Sequence, residues 1–123
     1  MRVLIVDDSD VLAQRLTSSL AEVPRIEVIG AVGNVADAVL KIRESKPDVV
    51  ILDIALPDGS GIDILEVLKQ DMFHPMVIVL SNYTYRQYQK KCRDYGARYY
   101  FDKSREFHKV AAVLRGLMEA ALA

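Results

Sequence analysis

Tryptophan is absent from this chain of 123 residues, cysteine occurs once and histidine twice. A lone cysteine, Cys92, excludes an internal disulfide and suits a reducing compartment; it reads as a small buried side chain on a helix rather than a reactive thiol. Neither charge sign dominates: 16 Lys and Arg stand against 17 Asp and Glu. That balance leaves no basic footprint for direct nucleic-acid binding. No apolar run approaches the length of a membrane span, and the N-terminus lacks a signal-peptide layout, so no membrane contact and a cytoplasmic location are expected. Histidine chemistry is unpromising, because His74 sits in a loop before Pro75 and His108 in the last helical stretch, neither with an obvious partner ligand.

What the chain does have is an ordered alternation. With 51% apolar residues it is long enough for one domain, residues 1–123, around a real core. Five short apolar runs recur: Arg2–Val6, Ile26–Val32, Val49–Leu52, Met76–Leu80 and Tyr99–Phe101. Between them apolar residues follow the helical period, as in Leu12, Leu16 and Leu20, or Ile62, Leu65 and Leu68. Thr84–Tyr95 is helical but more polar, and Phe107, Val110, Ala111, Leu114, Leu117 and Met118 make the clearest stripe. Asp10, Asn34, Ser60 and Ser104 stand where N-caps are wanted, Ser60 with Asp63 as an acidic capping box. Gly96 falls just past the fourth helix. Asp58 reads as a turn residue. Strict strand–helix alternation predicts an α/β fold: a doubly wound, five-stranded parallel sheet of flavodoxin-like order 2-1-3-4-5, with helices on both faces.

The first strand raises a chemical question. Val3, Leu4, Ile5 and Val6 read as a strand buried on both faces, yet they run straight into Asp7 and Asp8. Either the pair is solvated surface charge, or something positive lies between the carboxylates. In doubly wound sheets ligands bind beyond the carboxyl ends of the strands, so the strand-end residues are the ones to read. The first strand ends at Asp7 and Asp8, the third at Asp53, the fourth at Ser81, and the fifth at Lys103 beside Asp102. The second ends in Val32-Gly33 and offers nothing, as an edge strand should.

Three converging carboxylates call for a hard cation, and Mg²⁺, or Mn²⁺, suits oxygen ligands and a phosphate. Lys103 supplies a mobile point charge and Ser81 a hydroxyl. A metal, a lysine and a hydroxyl around one carboxylate form a phosphoryl-transfer arrangement, with Asp53 as the nucleophile that becomes an aspartyl phosphate.

With the D-D pair, the D of "DIALPDGSG", the S and the K present and in order, the chain resembles the receiver domains of two-component response regulators over essentially its whole length. The resemblance implies that Asp53 takes phosphate from a histidine kinase or phosphotransfer protein. It makes Asp8 a direct Mg²⁺ ligand, Asp7 a largely water-mediated one, and the backbone carbonyl of Ala55 the remaining protein ligand. Ser81 and Lys103 match the residues that hold the phosphoryl oxygens, and Tyr100 the aromatic switch. It also implies output to an effector protein or an attached effector domain, and a homodimer through the fourth helix, fifth strand and fifth helix. The chain would then be a phosphoacceptor signalling domain rather than an enzyme with an external substrate.

Two departures stand out. Receivers usually follow the site lysine with a proline in a cis peptide, and this chain has Ser104. A non-proline cis bond costs roughly 3–4 kcal/mol, so a trans bond is expected, with Ser104 capping the last helix. Receivers also favour a small residue after the switch Ser/Thr, where Asn82 stands. All six tyrosines fall between the fourth strand and the end of the fifth, and Tyr83, Tyr85, Tyr88 and Tyr99 are the expected partner surface. The rival reading is a metal-dependent phosphohydrolase resembling the haloacid dehalogenases, for which Asp8 and Asp10 offer the D-x-D spacing. A short chain leaves no room for the cap or pocket such an enzyme needs. A scaffold that is no longer phosphorylated is disfavoured because every acceptor-site group is present.

Overall fold

In a computed structural model, which describes residues 1–83 and 85–122 apart from the side chain of Leu122, the apolar runs become strands. These are β1 (Arg2–Val6), β2 (Glu27–Val32), β3 (Val49–Leu52), β6 (Met76–Ser81) and β7 (Tyr99–Asp102). All four pairings between them are parallel, and the order is β2-β1-β3-β6-β7. Counted among the sheet strands alone, that is the expected 2-1-3-4-5. The numbering is extended by a small antiparallel pair, β4 (Ala55–Leu56) and β5 (Gly59–Ser60), which turns the chain just after Asp53.

Five helices cover the sheet: α1 (Asp10–Ala21), α2 (Val35–Ser45), α3 (Gly61–Gln70), α4 (Arg86–Asp94) and α5 (Phe107–Leu122). Alternation along each central strand divides the core in two. Val3, Ile5, Ile51, Ile78 and Leu80 face α1 and α5, meeting Leu16, Leu20, Val110 and Leu114. Leu4, Val6, Val50, Leu52 and Val79 face the other way, meeting Ala38, Ile42, Leu65 and Cys92 from α2, α3 and α4. Cys92 is the buried small side chain its helix position predicted, with its thiol pushed up to about 11 by burial.

Two helix starts match their sequence signals and two do not. Asn34 caps α2, and Ser60 caps α3 in a complete capping box with Asp63. The cap of α1 is Ser9, one residue before the expected Asp10. Both residue types cap well, but Asp7 Oδ1 accepts the Ser9 N–H at 2.8 Å and fixes the turn there. Ser104 does not cap α5. The residue forms part of a turn, its N–H donates to Asp102 Oδ1 at 2.8 Å, and the helix begins at Phe107. The fourth helix is Arg86–Asp94, shorter than the pattern suggested, and Thr84 lies outside the described residues. Gly96 follows it at a positive φ of 99°, a conformation glycine adopts without steric cost.

Candidate functional site

Register alone brings two of the acids together. Val6 pairs with Leu52, so the residues that follow, Asp7 and Asp53, emerge side by side; the Asp53 N–H donates to the Val6 carbonyl at 2.9 Å. Asp8 comes next on the same loop. One carboxylate oxygen from each of Asp7, Asp8 and Asp53 lies within 4.8 Å of the other two. Ser81 pairs with Asp102, and the next residue, Lys103, donates its N–H to the Ser81 carbonyl at 3.0 Å. The ammonium of Lys103 reaches back to Asp7 Oδ2 at 2.7 Å and Asp53 Oδ2 at 3.0 Å.

The surroundings fix these groups. Asp7 and Asp53 are each 6% exposed, whereas Asp8 is open to solvent. Asp53 Oδ1 accepts the Ile54 N–H at 2.8 Å, and Asp7 Oδ1 is held by Ser9. Burial raises the Asp53 pKa above the ordinary carboxylate value, the Lys103 ammonium and the Ile54 N–H pull it back, and the Asp7 charge adds to the rise. Burial alone would lower the pKa of Lys103, but its bonds to Asp7 and Asp53 outweigh that and hold it above the ordinary value.

One ammonium faces three carboxylates. At an effective dielectric constant of about 20, two like charges this close repel by about 3 kcal/mol; Lys103 offsets this for Asp7 and Asp53, which it touches, but the group keeps more negative than positive charge. The donor set is all oxygen, one acid is solvent-facing, and the grouping fits a hard divalent ion that keeps part of its water. Ala55, expected to add its carbonyl, starts β4 two residues beyond Asp53 and is exposed. Asp10, the second acid of the D-x-D spacing, is an exposed first-turn residue of α1 and stands outside the carboxylate grouping found among the described residues.

Ser81 is fully buried, and its Oγ accepts the Tyr83 N–H at 3.1 Å. Tyr100 donates its hydroxyl to the Tyr83 carbonyl. Burial pushes the Tyr100 phenol up to about 12, partly opposed by a hydrogen bond with Ser81. Ser81, Tyr83 and Tyr100 thus form one linked group beside the acids. Tyr83 and Tyr85 are 43% and 64% exposed, and Tyr88 packs its ring against both at about 6 Å. Tyr99 stacks on Phe101 against the α1–α5 core, on the opposite face from Tyr100. Asn82 is exposed, with its Oδ1 accepting from Ser104 Oγ at 3.4 Å.

The sequence reading passed over three supports of this site. Asp58, read only as a turn residue, accepts the Val35 and Ala36 N–H groups at 2.7 and 3.2 Å and ties the loop after Asp53 to the start of α2. Gly61 lies against the Asp53 backbone, and the "GSG" that follows the acid is the signal that could have found it. The third is the pair Asp102 and Glu106, whose bonds shape the turn that carries Lys103.

A doubly wound sheet with an acid triad, a lysine and a buried serine at its carboxyl edge is the architecture of a receiver-type signalling module. The sequence matches the response regulator receiver domain over residues 3–115, and the chain belongs to that family. It is 36% identical over 84 residues to the DNA-binding transcriptional activator DevR/DosR of Mycobacterium tuberculosis, a match covering 68% of this chain and 39% of that protein. It is 44% identical over 84 residues to a protein-glutamate methylesterase/protein-glutamine glutaminase of Desulfotalea psychrophila, covering 68% of this chain and 23% of the relative. The matched stretch therefore spans well under half the length of each of these curated relatives. The crystal structure of the response regulator domain of Thermotoga maritima CheB superposes with a TM-score of 0.84 at 29% identity, covering 98% of this chain and 95% of that one. Among the described residues no helix is long and apolar enough to cross a membrane.

Proposed function

We propose that this chain is switched by phosphorylation of Asp53 in a two-component system, with a histidine kinase or phosphotransfer protein as the donor. The observation that carries the reading is the meeting of Asp7, Asp8 and Asp53 oxygens within 4.8 Å around the Lys103 ammonium. An Asp53 oxygen attacks the phosphorus, the bond to the donor histidine nitrogen breaks, and that nitrogen leaves with its electron pair. Mg²⁺ would be held by Asp8, Asp53 and the Ala55 carbonyl, and by Asp7 largely through water, and would supply positive charge to the phosphoryl oxygens.

The chain's own groups do the rest. Ile54 N–H orients the Asp53 carboxylate. Lys103 exchanges its carboxylate contacts for a phosphoryl oxygen, and Ser81 Oγ gives up the Tyr83 N–H to donate to another. Loss of that acceptor frees Tyr83 from Ser81, and the change passes through Tyr100 to the surface carrying Tyr83, Tyr85 and Tyr88; Tyr99, expected to share that surface, lies on the other face of the sheet. The single unit 1–123 would act from the cytoplasm on an effector, either a separate protein or a fused domain such as those of the longer relatives.

Intact-mass measurement after incubation with acetyl phosphate and Mg²⁺ tests this. One added phosphate is expected, absent in Asp53→Asn and absent in excess chelator. Equal labelling of that variant would overturn the assignment.

A further inference from the structure

The turn after β7 is where this chain departs from its family, and the structure has a substitute for the missing proline ring. Lys103 must aim its ammonium between Asp7 and Asp53, and that aim depends on the backbone of residues 102–106. There is no cis peptide bond among the described residues, and no proline restrains this turn. Every backbone N–H in it is nevertheless taken. Asp102 N–H donates to Glu106 Oε1 at 3.0 Å, and Glu106 N–H donates back to the Asp102 carbonyl at 2.8 Å. Within that ring, Asp102 Oδ1 accepts Ser104 N–H at 2.8 Å and Arg105 N–H at 3.3 Å. Lys103 N–H goes to Ser81, as described. The second oxygen of Glu106 is held by Lys109 Nζ at 2.6 Å, which anchors the ring to the first turn of α5.

We infer that Asp102 and Glu106 form a carboxylate clamp that positions Lys103 for phosphoryl transfer, in place of the proline that most receivers carry after their site lysine. Two side chains close three of the turn's five N–H groups. A backbone so closed has lost the freedom that would let Lys103 swing out to solvent, where its ammonium would be better hydrated. Asp102 acts through hydrogen bonds and not as another metal ligand: its Oδ1 is committed to two backbone donors, and it stands outside the carboxylate grouping found among the described residues. The inference rests on the reading of Asp53 as phosphoacceptor.

The test measures Asp53 labelling by acetyl phosphate at saturating Mg²⁺ in the wild type, Asp102→Ala, Asp102→Asn and Glu106→Ala, with Mg²⁺ half-saturation and a melting curve for each. Both alanine variants are expected to slow labelling at saturating donor by about tenfold. Their Mg²⁺ half-saturation should stay unchanged, since the three acids are intact. Asp102→Asn keeps the Oδ1 acceptor and should recover most of the rate. Wild-type rates in both alanine variants would overturn the clamp. So would Asp102→Asn labelling as slowly as Asp102→Ala, which would make charge rather than turn geometry the cause. If Asp102→Ala does not fold, Glu106→Ala decides alone, a normal rate in it counting against the clamp. A labelled wild type with fast variants overturns the clamp only; an unlabelled wild type overturns the phosphoacceptor reading and the clamp's role with it.

Discussion

Gly61 lies so close to Asp53 that a Cβ built on it would stand 2.3 Å from the Asp53 carbonyl oxygen and 3.1 Å from the Leu52 side chain. Its own N–H donates to the Ile54 carbonyl at 2.8 Å, so the first turn of α3 is pressed against the backbone of the loop that begins at Asp53. Replacing a helical glycine by alanine ordinarily stabilises by up to about 1 kcal/mol. Here the sign should reverse, because the clash is with backbone that cannot move without carrying Asp53 along. Gly61→Ala is expected to lose about 1–3 kcal/mol in urea unfolding, the usual cost of forcing atoms into packed space, and to slow Asp53 labelling as well. A midpoint at or above that of the wild type would mean the contact is soft.

The contrast between Gly61 and Asp53 illustrates what the sequence made legible. Asp7, Asp8, Asp53, Ser81 and Lys103 could be found because each follows an apolar run, and a parallel sheet collects strand ends on one edge. The runs were readable because central strands such as Val49–Leu52 are buried on both faces and carry no polar residue. Gly61 offers no such pattern, since the need for a missing side chain appears only when two segments distant from each other in conformation meet. Helix starts failed where another residue decided which amides a cap could reach. Asp7 selected Ser9 over Asp10, and the Glu106 N–H that a cap at Ser104 would bond goes instead to the Asp102 carbonyl at 2.8 Å. The β4–β5 pair is too short, at two residues per strand, to leave a periodic signal.

Lys103 should matter to stability as well as to chemistry. Its side chain is 14% exposed, and it is the cation held between the buried carboxylates of Asp7 and Asp53. Lys103→Met leaves those two acids facing each other without a counter-charge, and removing one partner of a buried ion pair costs about 3 kcal/mol or more. The loss should appear in chelator and shrink when Mg²⁺ is added, because an ion that binds only the folded state stabilises it by mass action. Urea unfolding with and without Mg²⁺ measures both. Wild-type stability of the variant in chelator would contradict the coupling.

Tyr100 gives a pH prediction with a definite sign. A free tyrosine ionises near pH 10, whereas burial pushes this phenol up to about 12. The folded form therefore keeps a proton that the unfolded chain has already released. The contribution of Tyr100 to stability is complete below about pH 10 and is lost as pH rises from about 10 to 12. In an ultraviolet titration of the folded protein, Tyr100→Phe should remove a phenol that ionises late. The same variant leaves the Tyr83 carbonyl without its hydroxyl donor and should speed hydrogen exchange at the Tyr83 amide, which is held by Ser81. An unchanged titration curve at its upper end would place the Tyr100 hydroxyl in solvent.

The linked group of Ser81, Tyr83 and Tyr100 also predicts where the signal emerges. A phosphoryl group on Asp53 adds negative charge and acceptor oxygens at a buried point, and Ser81 Oγ is the neighbouring hydroxyl able to answer it. A serine hydroxyl can accept one bond while donating another, so what would move Tyr83 is a swing of Oγ toward the phosphoryl group and away from the N–H it now accepts at 3.1 Å. Tyr83 must then rearrange, and with it Tyr88, whose ring meets Tyr83 edge-on at 6.0 Å, and Tyr85 beyond. Tyr99 lies on the far face of β7, stacked on Phe101, and should respond less than Tyr100 beside it. Amide chemical-shift mapping with beryllium fluoride and Mg²⁺ should therefore show two groups of shifts. One covers the loops of Asp7, Asp8, Asp53 and Lys103, and the second runs through residues 81–83 and 85–92 to Tyr100. Ser81→Ala should keep the first group and lose most of the second, because the charge still arrives but no hydroxyl turns toward it. Shifts confined to the acid loops in the wild type, or a second group that persists in Ser81→Ala, would show that the tyrosine-bearing surface does not take its signal from Ser81.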